Sequence, residues 1–255
     1  MKESISIKRH HIGSGRPVVC VPIVETEAEA VLQMAKKLHS NRVEMIEWRI
    51  DWFDGYQDME QTLTVLKKLG SLLEHSILLC TYRSKAQGGE GLLTGEAYKN
   101  LLFQIAKSQM ADIIDVEFFM LDDAKKTIEE LKNANICVLA SDHDFHKTPT
   151  IENMKEKLIG MYEAGADIEK LAVMPKDEED VLNLLSATLY MKKNIPGSRV
   201  VTMAMDSTGV ITRLSGEIFG SCVTFASFQK SSAPGQMEIS DVTLILDKIH
   251  ENYSK

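Results

Sequence analysis

Lys170 stands inside the apolar run Ile168–Val173, where desolvation and nearby cations would disfavour its ammonium form. A neutral amine attacks carbonyl carbon, so the chemistry such a lysine offers is a Schiff base. A salt bridge to Glu47 or Glu117 is the other reading of the same position. His143, one run earlier, has an ordinary pKa near neutrality and can carry protons in either direction. The two-residue period of an extended chain puts further polar side chains on one face of their runs: Glu47 with Arg49, Thr81 with Arg83, Asp115 with Glu117, and Ser141 with His143. Lys170 falls beside Ile168 and Ala172, and Met203 beside Met205. Each has a bland reading taken singly; Glu47 and Arg49 could be a structural ion pair. Neighbouring segments that all send acids, bases and donors to one end would bury costly charges unless the cluster meets a ligand.

Such convergence needs a scaffold that gathers strand ends. Short apolar, β-branched runs occur at Pro17–Val24, Glu44–Asp51, Ser76–Arg83, Ala111–Phe119, Asn135–Asp142, Asp167–Met174, Arg199–Met205 and Ser221–Phe228. They recur about every 22 to 35 residues, the length of a strand, a helix and two loops. Thr26 followed by Glu29 reads as a capping box opening a helix with Val31, Ala35 and Leu38 on one face. Thr150 and Asp177 read as further N-caps, before Met154, Leu158 and Met161 and before Val181, Leu184 and Leu185. The helix after Asp177 should stop by Pro196-Gly197. Eight such units predict one (β/α)8 barrel domain over residues 1–255. The rival, an open doubly wound sheet, would carry a phosphate-binding glycine turn after its first strand, and Pro22–Thr26 lacks one. Ser4–Ile7 and His10–Ser14 suit a short extra hairpin over the barrel's lower end. Ile46, Trp48 and Ile50 suit packing against helices, so the Glu47 face points inward, towards the strand ends where barrels build their sites.

The 255 residues are 44% hydrophobic, with 29 Lys and Arg against 37 Asp and Glu, a net charge of -8. That balance excludes a broad nucleic-acid or anionic-membrane footprint. No apolar run reaches the length of a membrane span, and the opening MKESISIKRHH has charges where a signal peptide needs its apolar region, so the cytoplasm is the expected compartment. Cys20, Cys80, Cys137 and Cys222 follow no metal-ligand spacing and are expected as reduced residues on four of the strands. His143 and His146 would point to opposite faces of a strand, which argues against a metal pair. Gly88-Gly-Glu-Gly91 has no following Lys-Ser/Thr and reads as a turn. Gln229–Gln236 is either a solvated loop or a mobile lid.

Seven segments carry a family resemblance over almost the whole chain: EWRID at Glu47–Asp51, TYRSKAQGGE at Thr81–Glu90, IDVE at Ile114–Glu117, SDHDF at Ser141–Phe145, KLAVMP at Lys170–Pro175, MAMDSTGVITRLSGEIFGS at Met203–Ser221, and SAPGQ at Ser232–Gln236. With these the chain resembles the type I 3-dehydroquinate dehydratases of the shikimate pathway. The resemblance implies a (β/α)8 barrel, usually a homodimer, acting on a small molecule without a metal or organic cofactor. It implies that Lys170 forms an imine with the substrate ketone and His143 shuttles protons. Arg213, expected in the loop after the seventh run, would pair with the substrate carboxylate. Glu47, Arg49 and Arg83 would hold ring hydroxyls, Met203, Met205 and Phe225 would form an apolar wall, and Ser232 and Gln236 would close from the lid. An aldolase-type Schiff-base barrel is the alternative, though it would commonly carry a phosphate loop where this chain has Arg213 and SAPGQ. Some family members have a glutamate bonded to the histidine where this chain has Gln87, leaving Asp115 or Glu117 as expected partners of His143. Asp206 replaces a common glycine, and Thr212 a usual serine.

Overall fold

A computed structural model of the chain describes residues 4–229 and 233–253. The chain opens with an antiparallel hairpin, β1 (Ile5–Ile7) and β2 (His10–Ile12), and then alternates. β3 (Val18–Ile23), α1 (Ala28–Ser40), β4 (Met45–Arg49), α2 (Met59–Leu72), β5 (Ile77–Thr81), α3 (Gly95–Ser108), β6 (Ile113–Glu117) and α4 (Ala124–Asn133) make the first half. β7 (Cys137–Asp144), α5 (Ile151–Glu163), β8 (Ile168–Val173), α6 (Glu178–Asn194), β9 (Val200–Ala204), α7 (Val210–Leu214), α8 (Gly216–Phe219), β10 (Val223–Phe225) and α9 (Ile239–Tyr253) complete it. The eight strands β3 to β10 are parallel, and β10 pairs with β3. The last seam, between β9 and β10, is a bridge from Val200 to Ser221 with the Cys222 N–H on the Val200 carbonyl at 2.8 Å. The result is the (β/α)8 barrel that the spacing predicts.

Two apolar layers separate along the two-residue period. Ile46, Trp48 and Ile50 face outward and pack with Val31, Leu38 and Leu66 of the surrounding helices. Met45, Ile77, Ile113, Leu139, Ile168 and Val201 face inward and fill the lower half of the barrel. The hairpin adds fully buried Ile12 to that inner cluster, and Lys8 ties it down through Asp112 and the carbonyls of Leu73 and Ser76. Among the described residues this apolar floor closes the lower half of the barrel, and the polar side chains gather above it at the C-terminal strand ends.

Local signals held in two helices and shifted in a third. Thr150 Oγ1 accepts from the Asn153 N–H, and Asp177 Oδ1 from the Asp180 N–H, as N-caps should. The Thr26–Glu29 capping box does not form: α1 begins at Ala28, with Glu27 at its cap position. The Thr26 carbonyl instead accepts from the Asp54 N–H at 2.9 Å, which holds it in the loop. The last strand is also shorter than its apolar run. After Phe225 the chain turns to pair with the returning segment, the Ser227 N–H bonding the Met237 carbonyl at 2.8 Å. Cys222 therefore lies just before β10 rather than on it; Cys20, Cys80 and Cys137 are strand residues, and all four are free thiols.

Candidate active site

Register brings the polar face together. Glu117 on β6, Ser141 on β7 and Lys170 on β8 are direct neighbours across the ladders, so their side chains leave the sheet on one side. One cavity at the C-terminal end is lined by Glu47, Arg49, Arg83, His143, Lys170, Met203, Met205, Arg213, Phe225 and Gln236. These are the site residues singled out from sequence, with the exception of Ser232, which lies outside the described residues.

Within the cavity the acids are already engaged. Arg83 Nη2 lies 2.7 Å from Asp115 Oδ2, and its Nη1 donates to Glu117 Oε1 at 3.1 Å and to Ser141 Oγ at 2.9 Å. The Ser141 hydroxyl donates to Asp115 Oδ1, and Glu47 accepts from Thr81 Oγ1, both at 2.7 Å. Asp51, on the turn Ile50–Trp52 that follows β4, takes Arg49 through two bonds of 2.8 and 2.7 Å. It also accepts the backbone N–H groups of Arg83 and Glu90. Asp51, Asp115 and Glu117 are thereby matched by rigid, bidentate or networked partners. Replacing Arg83 by methionine is expected to cost about 3–5 kcal/mol in denaturant unfolding, because Asp115 and Glu117 would stay buried without their cation. A loss below about 1 kcal/mol would mean that the carboxylates are satisfied in another way.

Lys170 is the least firmly paired cation of this group. Its carboxylate neighbour is Asp115, at 3.8 Å, rather than Glu47 or Glu117, and that Asp115 oxygen is already held by Arg83. Its Nζ also lies over the Phe225 ring, 4.2 Å from the centroid. Burial lowers the Lys170 pKa, Glu47 and Asp115 oppose the shift, and Arg83 adds to it. Burial likewise holds the His143 pKa well below its ordinary 6.5, helped by Arg83, Lys170 and Arg49. An amine and an imidazole that are both shifted towards their neutral forms therefore share one cavity.

His143 is not oriented by Asp115 or Glu117, as the sequence suggested; both are committed to Arg83. Its Nδ1 lies 2.9 Å from Gln87 Oε1. Gln87 ends the short turn Lys85–Gln87, which the glycines after it fold back over Arg83: Gly88 takes φ 78°, and a Cβ on Gly89 would collide with the Arg83 carbonyl. Gly88-Gly-Glu-Gly91 is thus a turn, and its work is to deliver Gln87. Asp51 was missed as a functional position, and Gln87, noted at the place of the family's histidine-bonded glutamate, was passed over as the partner of His143; both sit on turns, beyond the reach of strand alternation.

Arg213 sits on the short helix α7, not in a loop, and is 2% exposed. Nη2 donates to the Pro234 carbonyl at 3.0 Å and Nη1 meets the Met203 sulfur at 3.7 Å, while Nε has no partner among the described residues. Burial alone pulls its pKa to about 10, with no acid among the described residues to counter it. A buried, still protonated guanidinium without a counter-ion is a receptor for an anion. The segment that covers it, Ala233 to Gln236, lines the same cavity, and Gly235 packs against the backbone of Asp206, which holds φ 63°. Among the described residues no group of three or more His, Cys, Asp or Glu could hold a metal ion, and no helix is long and apolar enough to cross a membrane.

A sequence profile of the type I 3-dehydroquinase family matches residues 19–253. The 3-dehydroquinate dehydratase of Clostridium botulinum is 41% identical over 253 residues, covering 99% of this chain and 100% of its own. That of Listeria monocytogenes is 38% identical, with 98% and 99% covered. Among solved structures, the type I enzyme of Clostridium difficile with covalently modified comenic acid superposes with a TM-score of 0.94 at 38% identity, covering 98% of this chain and 99% of that one. The Geobacillus kaustophilus 3-dehydroquinate dehydratase gives 0.94 at 34% identity, with both chains covered in full.

Proposed function

This chain belongs to the type I 3-dehydroquinase family and its reaction is the dehydration of 3-dehydroquinate, and we propose that it removes water by syn elimination through an imine on Lys170. The observation that carries this reading is a buried, weakly paired lysine with a lowered pKa in the same cavity as a neutral histidine. The Lys170 amine adds to the ring ketone and water leaves, giving an iminium whose nitrogen is an electron sink. His143 takes a proton from the adjacent carbon, and that electron pair moves into the enamine. The enamine then returns its electrons to expel the tertiary hydroxyl, which the His143 imidazolium protonates as it departs. Water hydrolyses the remaining imine, releasing 3-dehydroshikimate and the free amine.

Arg213 would take the substrate carboxylate in the fork left open at Nε, anchoring the ring so that the leaving hydroxyl faces His143. Glu47, Arg49 and Arg83 would hold the ring hydroxyls, with Met203, Met205 and Phe225 as the apolar wall. Gln236, and Ser232 with it, would close over the ring and keep bulk water from the imine. The enzyme would work in the cytoplasm as a homodimer, for which the exposed side chains of Ile218, Leu244 and Tyr253 on α8 and α9 offer an apolar face.

Borohydride reduction during turnover tests the imine. An intact mass raised by one reduced ligand, mapped to Lys170, is the expected result. No adduct at saturating 3-dehydroquinate, in a sample that is otherwise active, would rule the imine out.

A further inference from the structure

Asp142, beside His143 in β7, and Lys157 in α5 take no part in the steps above, yet a chain of directed contacts runs from them to the imidazole. Lys157 Nζ lies 2.6 Å from Asp142 Oδ2, Asp142 Oδ1 accepts from Gln87 Nε2 at 3.4 Å, and Gln87 Oε1 lies 2.9 Å from His143 Nδ1. Asp142 is buried, and the Lys157 ammonium also sits over the Phe119 ring at 4.3 Å, which fixes its place.

The directions of these bonds follow from what each group can do. An ammonium only donates and an ionised carboxylate only accepts, so Gln87 must turn its NH2 towards Asp142 and its carbonyl towards the ring. An amide oxygen only accepts, so the proton of neutral His143 belongs on Nδ1, and Nε2 is left bare. We propose that Lys157 and Asp142 are positioning residues that act through Gln87 to keep the His143 proton on Nδ1, with Nε2 as the base. A carboxylate at position 87 would need no such anchor, since either of its oxygens accepts. An amide has two nearly isosteric orientations, and the wrong one donates to Nδ1 and drives the proton onto Nε2. The glutamine therefore makes Asp142 necessary.

The inference rests on His143 being the proton carrier, but its first readout needs no turnover. Histidine ¹⁵N spectra of the free wild-type enzyme should show His143 as one tautomer, protonated at Nδ1. Asp142→Ala is expected to give a mixture of tautomers and to lower kcat about 10-fold, with KM changed less than about twofold. Lys157→Met, which keeps the aliphatic stem, should move both readouts in the same direction by less. Gln87→Glu in the Asp142→Ala background should restore the single tautomer and most of kcat, which a merely structural role for Asp142 would not allow. A single Nδ1-protonated form and wild-type kcat in both folded single variants would overturn the proposal. Failure of the imine reading would appear elsewhere, as an absent borohydride adduct with the spectra unaltered.

Discussion

Lys170→Ala is expected to lower kcat by roughly 10⁵-fold, because among the described residues no other amine lines the cavity to form the imine. That loss corresponds to about 7 kcal/mol of transition-state stabilisation. Binding should suffer far less. Arg213, with its Nε unpartnered, and the Arg49–Asp51 pair keep their positions without the lysine, so calorimetric titration should still detect the substrate. The variant should also gain no mass on borohydride treatment. Stability should not fall in proportion, since a buried amine held by a 3.8 Å contact to Asp115 and by the face of Phe225 contributes little to folding. Turnover near the wild-type rate in this variant would remove the covalent route altogether.

His143→Ala is expected to cost on the order of 10³- to 10⁴-fold in kcat, as one residue supplies both the base and the acid. Imine formation should survive, so borohydride should still trap an adduct on Lys170; this separates the two roles in one mass spectrum. The pH profile of the wild-type enzyme carries the same information. Proton abstraction requires neutral imidazole, and burial, reinforced by Arg83, Lys170 and Arg49, holds the His143 pKa well below 6.5. Activity limited by this group should therefore persist below pH 6.5 and fall only as the pH drops through the lower value. The stability linkage has the same sign. Below pH 6.5 the unfolded chain binds a proton on this histidine that the folded chain refuses, so folding weakens as the pH falls. An acid limb above pH 6.5 assigned to His143 by its ¹⁵N titration would contradict this.

Strand alternation made most of the cavity legible from sequence. Glu47, Arg49, Asp115, Glu117 and Lys170 lie on strands buried on both sides, where any ionisable side chain stands out against apolar neighbours. What lay on turns left no trace in that alternation, and Gln87 came to notice only through the family resemblance. Asp51 follows the end of β4 and Gln87 depends on a left-handed glycine next to it, so neither has a periodic signature. Arg213 was assigned to a loop because five residues of α7 are too few to display a helical period. Asp142 was hidden for a different reason. It alternates to the outer face, where its role comes from Lys157 on the next helix and from an amide two strands away in the fold. Such contacts are set by how layers stack, which no single stretch of sequence encodes.

The hairpin plug has a kinetic consequence. With Ile12 sealed into the apolar floor and Lys8 fastening it to the loops below, the barrel is, among the described residues, a well closed at its base. Reactant and enone product share the mouth at the strand ends, so the next reactant waits until the previous product has gone. Wherever release of the enone past the Arg213–Pro234 contact is slower than elimination, that release caps turnover and faster chemistry below it gains nothing.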